Sequence, residues 1–374
     1  MARIVLVNSE GGIGGAETSL LLLLKHLCGR FALSVACPAP SPLSAAVASL
    51  GIDHHAIPEP PRVSHGSPCR GAARAAYEAA TVCRLTRAIR RTGANLVHAN
   101  SLYAGVTSLA AAVVTRRRLL LHARDLADFG ILTRLFGRCS NCIVAVSHAV
   151  RRALISRGVH PDKIEVVYNG LDCTSPGPKE AFRSACKGRN FTFAHIGQFV
   201  PWKNHAAFLR AAAQVAPELP QARFAIVGDD LFQRDGTYKE AVHQFAERSS
   251  AAERIQFWGW REDMEEVWPA IDCLVHTAER EAFGRVVIEA MAHRVPVIAV
   301  ASGGPAEILQ ANRTGLLAPP GDLRALVEAM LRVARDRELA DRIAEAGYHH
   351  ALSNFTACQT AARVQGIYES ILST

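Results

Sequence analysis

The sequence predicts an α/β protein with two doubly wound parallel sheets. Three observations carry this expectation. Short apolar, β-branched runs alternate with amphipathic helical stretches along most of the chain, as in a parallel sheet with crossover helices. The alternation breaks once, at CTSPGPKEAFRSACKGRN (173–190), a stretch rich in Pro, Gly, Ser and charge, and then starts again. A chain of 374 residues is also longer than one hydrophobic core ordinarily organises.

RIVLV (Arg3–Val7) opens the first set, followed by a helix from about Ala16 to Leu27. ALSVAC (Ala32–Cys37) is the second strand, with a helix over about Ser44 to Leu50. Pro58 to Pro68 holds several prolines and a glycine and reads as a mobile loop. NLVHA (Asn95–Ala99), LLLHA (Leu119–Ala123) and CIVAVS (Cys142–Ser147) are further strands backed by helices, and KIEVVYNG (Lys163–Gly170) closes the set. After the break come FTFAHIG (Phe191–Gly197), RFAIVGD (Arg223–Asp229), RIQFWG (Arg254–Gly259), CLVHT (Cys273–Thr277) and PVIAV (Pro296–Val300). The stretch from about Asp336 to Thr374 reads as helices only. Two such units facing one another place the carboxyl ends of their strands around one cleft, which is where sheets of this kind bind ligands.

Composition narrows the class. Hydrophobic residues make up 49% of the chain and charged residues 20%, which excludes global disorder. No run approaches the roughly 18 apolar residues of a membrane span. MARIVLVNSEGG lacks the apolar core and cleavage site of a signal peptide. The ten cysteines form no framework; Cys139 and Cys142 have C-x-x-C spacing without a second pair and read as two buried or half-buried thiols. A reducing cytoplasm is the expected location. Net charge is +8 but uneven: up to Pro176 there are 20 Lys and Arg against 10 Asp and Glu, and beyond it 22 against 24. Arg84, Arg87, Arg90, Arg91 and Arg116 to Arg118 supply much of the excess. They read either as solvated helix faces or as attraction to an anionic membrane or acidic substrate. No aromatic-rich basic module supports nucleic-acid binding.

The chemistry should lie just after the strands. NSEGGIGGAE (8–17) follows the first strand, and its glycines allow positive φ and close approach to a ligand. Gly12 and Gly14 fit a dinucleotide fingerprint, but Glu17 stands at its third site, which argues against a nicotinamide enzyme. A tight strand–helix turn explains the loop equally well. In QFVPWKNH (198–205), Lys203 sits at a strand end, where a fixed cation suits a phosphate and a surface lysine is the plainer reading. EAFGRVVIEAMAHRVPVIAV (281–300) says more. Glu281 precedes a turn, and Glu289 lies about one turn into an apolar helix. A carboxylate surrounded so costs several kcal/mol, on the order of a buried charge, unless hydroxyls or cations satisfy it. A ribose diol would do so. A helix N-terminal acid accounts for Glu289 alone, but not for the loop, Gly303–Gly304 or Glu307.

In order, GGAE (14–17), AVSHAV (145–150), VVYNGLD (166–172), IGQFVPWKN (196–204), AIVGD (225–229), EAFGRVVIEAMA (281–292), GGPAEIL (303–309) and TGLLAPPGD (314–322) resemble the retaining glycosyltransferases of family 4 over nearly the whole chain. The resemblance implies the GT-B fold: a 1–175 acceptor-side domain, a 188–347 nucleotide-sugar-binding domain facing it across a central cleft, and a 348–374 helix packing back on the first. A hinge would lie near Asp172 to Gly188. The implied donor is a nucleotide-diphosphate sugar and the acceptor a hydroxyl, on a lipid-linked sugar or a small-molecule core. Glu289 would bind the ribose and Glu281 the transferred sugar. Lys203 would neutralise the diphosphate with amides near Phe283 and Gly284. Gly14 and Gly15 would approach from the first domain, and His122 would face the donor sugar. His122 also reads as a satisfied core histidine. Asp125 would orient His122 or cap the next helix, and Asn100 is an acceptor-side candidate. No cofactor and no metal is implied, because lysine and a helix N-terminus replace the cation, and the leaving phosphate takes the acceptor's proton. A nucleotide-sugar epimerase, a phosphorylase or a non-catalytic nucleotide-sugar-binding protein of the same fold are the alternatives.

Two positions depart from the family's pattern. Gln198 stands where an arginine is usual, a loss of about 1.5–3 kcal/mol for one charged hydrogen bond. Arg294 stands where a glycine usually ends the helix, at about 1 kcal/mol if left-handed.

Overall fold

The computed structural model describes residues 1–61, 70–172, 190–230, 236–261 and 263–373. The chain forms two compact units, Met1–Gly170 with Ala357–Thr374, and Leu171–Thr356. The expected hinge and the Pro58–Pro68 loop fall mostly on 173–189 and 62–69, outside the described residues.

The first unit is built on β1 (Arg3–Val7), β2 (Ala32–Pro38), β3 (Asp53–Ile57), β4 (Leu96–Ala99), β5 (Arg118–Ala123), β6 (Cys142–Ala145) and β7 (Ile164–Val166). All pair in parallel, in the order β3-β2-β1-β4-β5-β6-β7. β4 and β6 are buried along their whole length, as strands covered on both faces must be. Connecting helices run over Gly15–Leu27, Pro42–Ser49, Arg70–Thr92, Leu102–Thr115, Ile131–Cys139 and His148–Ser156. Ser41, Ser101 and Ser147 start three of them by accepting a hydrogen bond from the amide three residues on, at 3.1 Å each. The sequence reading missed β3 because DHHAI is an edge strand, exposed over most of its length, and carries no apolar run.

The second unit has β8 (Phe191–Ile196), β9 (Ala222–Val227), β10 (Ile255–Gly259), β11 (Cys273–His276), β12 (Val297–Val300) and β13 (Leu316–Ala318), in the parallel order β10-β9-β8-β11-β12-β13. Phe193, Phe208 and Phe224 fill its core, with Phe193 stacked on Phe224 at 5.8 Å. Helices cover His205–Glu218, Thr237–Glu247, Arg285–Ala292, Pro305–Ile308, Leu323–Arg335 and Arg337–Asn354. Tyr348 belongs to the last of these. The return to the first unit therefore begins at Ala357, not at 348. The final helix, Ala357–Ser373, lies against Gly15–Leu27 and buries Val364, Tyr368 and Ile371 in the first unit's core. Cys142 is buried but Cys139 is exposed, unlike the expectation for both.

In each sheet the strand order reverses once, between β1 and β4 and between β8 and β11. Connections leave in opposite directions there and open a crevice at the carboxyl ends. The loops that carry Gly14, Asn100, Lys203 and Glu281 follow these four strands.

Candidate active site

In the second unit the chain leaves β8 through a short turn, Pro201–Lys203. Thr277 Oγ1 donates to the carbonyls of Lys203 (3.1 Å) and Asn204 (2.9 Å), and His195 Nε2 meets the Lys203 carbonyl at 3.0 Å. The backbone beneath Lys203 is thus fixed to the end of β11. Its Nζ donates to Glu281 Oε2 at 2.5 Å, with the two side chains 17% and 14% exposed. His276 Nε2 stands 3.4 Å from the same oxygen, at the outer limit of a hydrogen bond. Burial works to raise the Glu281 pKa, but the Lys203 ammonium and the His276 contact outweigh it and lower it, so Glu281 is ionised. With Lys203 and His276 both on Oε2, Oε1 is the lone-pair face left to a ligand.

The Glu281 loop is pressed against the loop after β12. Gly304 N donates to Glu281 O at 2.9 Å. A Cβ on Gly303 (φ +58°) would stand 1.9 Å from Glu281 O, and one on Gly304 2.1 Å from Phe283 O. Only glycine permits this approach. Gly284, at φ +91°, opens helix Arg285–Ala292 without a side-chain cap.

In the first unit, Glu17 does the work of a cap. Its Oε2 accepts from Gly14 N at 3.0 Å and its Oε1 from Asn8 Nδ2 at 3.1 Å. Asn8 Oδ1 accepts from Asn100 Nδ2 at 2.9 Å. Arg124 Nε donates to Asn100 Oδ1 at 2.9 Å, and its Nη1 donates to Asn169 Oδ1 at 2.7 Å. His122, fully buried at the end of β5, has Nδ1 3.3 Å from both Arg124 Nη2 and His98 Nε2. His98 Nδ1 lies 2.5 Å from Tyr368 Oη on the final helix. Burial, then Arg124, lowers the His98 pKa to about 3 and holds His122 well below the usual histidine range, so both rings are neutral.

Comparison with known proteins matches residues 13–175 to the Glycosyltransferase Family 4 model and residues 178–350 to the Glycosyl transferases group 1 model, which together span most of the chain. The chain belongs to glycosyltransferase family 4. It is 27% identical over 161 residues to the lipopolysaccharide core biosynthesis glycosyltransferase LpsE of Rhizobium meliloti, covering 43% of this chain and 44% of that enzyme. It is 24% identical over 316 residues to the N-acetyl-alpha-D-glucosaminyl L-malate synthase of Bacillus anthracis, covering 79% of this chain and 80% of that one. The chain thus spans less than half of LpsE's length and four fifths of the synthase's. In fold it is similar to Anabaena HepE, solved with UDP and glucose, at a TM-score of 0.85, 24% identity, and 99% and 100% of the two chains covered. The fold is GT-B.

Several expected residues of this family 4 glycosyltransferase are placed otherwise than the sequence suggested. None of Gly11, Gly12, Gly14 and Gly15 takes positive φ; Gly14 is extended at −117°. Gly11 is required by space, since its Cβ would lie 2.8 Å from Ser41 Cβ. Glu289 is not buried among apolar groups but 27% exposed and paired at 3.0 Å with Arg285, one turn earlier. The Phe283 ring is buried against Phe355 at 6.0 Å, which leaves only its backbone for a ligand. Gln198 is partly buried just past β8, and its side chain bonds to no other described residue. Asn100 is fully buried between Asn8 and Arg124, a support of the loop rather than a group open to an acceptor. Asp125 neither orients His122 nor caps a helix: its Oδ1 accepts from Ala127 N at 2.9 Å, and the next helix starts after Gly130 without a side-chain cap.

Sequence reasoning missed Asn8, His98, Arg124, His276 and Tyr368. One signal was present: NLVHA and LLLHA each place a histidine just before the closing alanine of adjacent strands. Among the described residues no group of three or more His, Cys, Asp or Glu could hold a metal ion.

Proposed function

We propose that this glycosyltransferase moves a hexose-type sugar from a nucleotide-diphosphate sugar to a hydroxyl acceptor, with retention at the anomeric carbon and without a metal ion. The observation that supports this best is the Lys203–Glu281 pair at the switch point of the second sheet. Glu281 offers Oε1 to hydroxyls of the transferred sugar. Lys203 keeps two N–H donors for the diphosphate after serving Glu281, and the amides around Gly284 join it there. Glu289, half-exposed beside Arg285, accepts from a ribose diol. The bond from the anomeric carbon to the phosphate oxygen breaks while the acceptor oxygen bonds to the same face. The acceptor's proton passes to the leaving phosphate, so no protein base is required.

Thermal shift against UDP- and GDP-sugars tests donor binding, since only ligands that prefer the folded state raise Tm. The donor that raises Tm should then be consumed with a hydroxyl acceptor, with EDTA present, giving a product of unchanged anomeric configuration by NMR. Inverted product or EDTA-abolished turnover would overturn the mechanism.

For the acceptor we propose a sugar carried on a lipid and met at an anionic membrane surface, a small-molecule core being the other outcome. Among the described residues no helix is long and apolar enough to cross a membrane. The first unit instead exposes Val113 and Val114 on helix Leu102–Thr115, Arg116 and Arg117 just past its end, and Ile131, Arg134 and Arg138 on the helix packed against it. That mixture suits an anionic interface. Sedimentation with anionic vesicles, weakened by salt, is the expected result; none would remove this acceptor class.

A further inference from the structure

Lys203 alone does not fix the plane of the Glu281 carboxylate. An ammonium is a compact charge on a flexible stem, with three donors that turn freely, so it holds one oxygen without choosing where the other points. His276 is different in kind. It is the last residue of β11, it is 1% exposed, and its Nε2 stands 3.4 Å from Glu281 Oε2, the oxygen that Lys203 already holds. Burial lowers the His276 pKa more than Glu281 raises it, so the ring is neutral and carries one N–H. That proton belongs on Nε2. Placed on Nδ1, it would sit on a buried atom without a hydrogen-bond partner among the described residues, and a lone pair would face the carboxylate. A buried bare nitrogen is the smaller cost. The neighbouring strand repeats the arrangement. His195 on β8, also kept neutral by burial, meets the Lys203 carbonyl with Nε2 at 3.0 Å; that nitrogen donates, and Nδ1 is again buried and bare. One ring thus holds the Lys203 backbone, and the other faces the Glu281 carboxylate.

We propose that His276 is a positioning residue for sugar transfer: its Nε2–H, planted in a buried strand, turns the Glu281 carboxylate so that Oε1 faces the sugar of the donor. This rests on the functional reading above. Two donors on Oε2, one mobile and one rigid, leave the lone pairs of Oε1 to hydroxyls. The ring does not touch the sugar; it acts through Glu281. Its effect therefore falls on the sugar, and not on the diphosphate that Lys203 and the amides near Gly284 meet. A ring that served only as packing would show no such separation.

The test uses the full chain. With 15N-labelled histidine, His276 of the wild-type protein should show a single tautomer, protonated on Nε2. His276→Leu keeps the bulk of the ring and loses the donor. Its Kd for the nucleotide sugar that raises Tm should rise about 3- to 10-fold, the worth of one hydrogen bond, and kcat/KM should fall by a similar factor. Its Kd for the matching free nucleoside diphosphate should not change. His276→Gln carries an amide N–H near the place of Nε2 and should restore most of the loss. Equal weakening toward the nucleotide sugar and the free diphosphate would mean that the ring only packs, and wild-type affinities in His276→Leu would mean that Glu281 needs no second donor. Either result overturns the proposal. A wild-type His276 protonated on Nδ1 would overturn it outright, whether or not the variants fold. A wild-type chain that transfers no sugar from any donor would instead remove the functional reading, and the role at the sugar with it, while the Nε2 tautomer would stand.

Discussion

The two units place polar residues at the carboxyl ends of neighbouring parallel strands, yet in opposite electrical states. In the second unit the residues after β8 and β11 form a charged pair, Lys203 and Glu281, on loops, each still partly exposed. In the first unit the residues at the ends of β4 and β5 are neutral rings with no exposure, reached by one guanidinium. The difference follows from depth. A charge pair survives where water or a ligand can reach it, and desolvation outweighs attraction further in. Deep groups keep their order by donor and acceptor sense instead. One unit leaves a charged pair partly open, and the other closes its neutral rings off from water.

The comparison breaks first if charge in the second unit proves dispensable. Glu281→Ala and Lys203→Ala should each lower turnover by about 10²–10³-fold, the range for removing one preorganised polar contact in a transition state. Nucleotide release with saturating donor and acceptor is the measurement. Near wild-type rates in both would dissolve the assignment.

Acid should affect both units alike, because each locks a neutral histidine. His98 in the first and His205 in the second are both lowered to about 3, chiefly by burial. A histidine depressed in the folded state binds its proton only on unfolding. The unfolded chain therefore gains protons below its own pKa near 6.5, and stability falls as pH drops through that value. At pH 5.5 each such histidine costs about 1.4 kcal/mol relative to pH 8, and buried His122, His195 and His276 act in the same direction. Urea unfolding at both values should show the sum. His98→Gln should reduce it by about 1.4 kcal/mol, and an unchanged pH dependence in that variant would show that His98 does not contribute.

Next in size is the second unit's glycine contact, which is tighter than that of Gly11 in the first unit. Gly304→Ala would drive a methyl group into the Phe283 carbonyl, at 2.1 Å before any shift. We expect about 1–3 kcal/mol of destabilisation and a displaced Glu281, read together as lower Tm and lower turnover. Gly12→Ala, with nothing within 4 Å of its new Cβ, should do neither.

What the sequence disclosed divides along the same line. Strands with apolar runs, the break between units, and the loop holding Glu281, Gly303 and Gly304 could all be read locally, since turn chemistry and periodicity are short-range. The short edge strands β3 and β13 could not, because one is mostly polar and the other has three residues. The first unit's polar network was illegible for a different reason. Its members lie 92 residues apart, as Asn8 and Asn100 do, or 270 apart, as His98 and Tyr368 do. Nothing in a local pattern marks a tyrosine in the last helix as the partner of a histidine on the fourth strand. Glu17 was even read against its role: the residue that spoils the glycine fingerprint is the one that caps the loop.

The smallest expected effect concerns Arg294, whose left-handed backbone (φ +56°) the family's usual glycine would adopt without strain. Its side chain is not idle. Nε pairs with Glu345 at 3.0 Å, and the guanidinium lies 3.4 Å from the centre of the Tyr348 ring. The strain costs about 1 kcal/mol, while a half-exposed pair and a cation over an aromatic face return about 0.5 kcal/mol each. Arg294→Gly removes both sides of that balance and should change stability by less than about 0.5 kcal/mol. Arg294→Ala keeps the strain and loses the contacts, so it should be about 1 kcal/mol less stable than wild type. The glycine and alanine variants, compared by urea unfolding, thus differ by the backbone strain itself. If they unfold at the same midpoint, the left-handed turn is not strained, and the arginine stands there for its contacts alone.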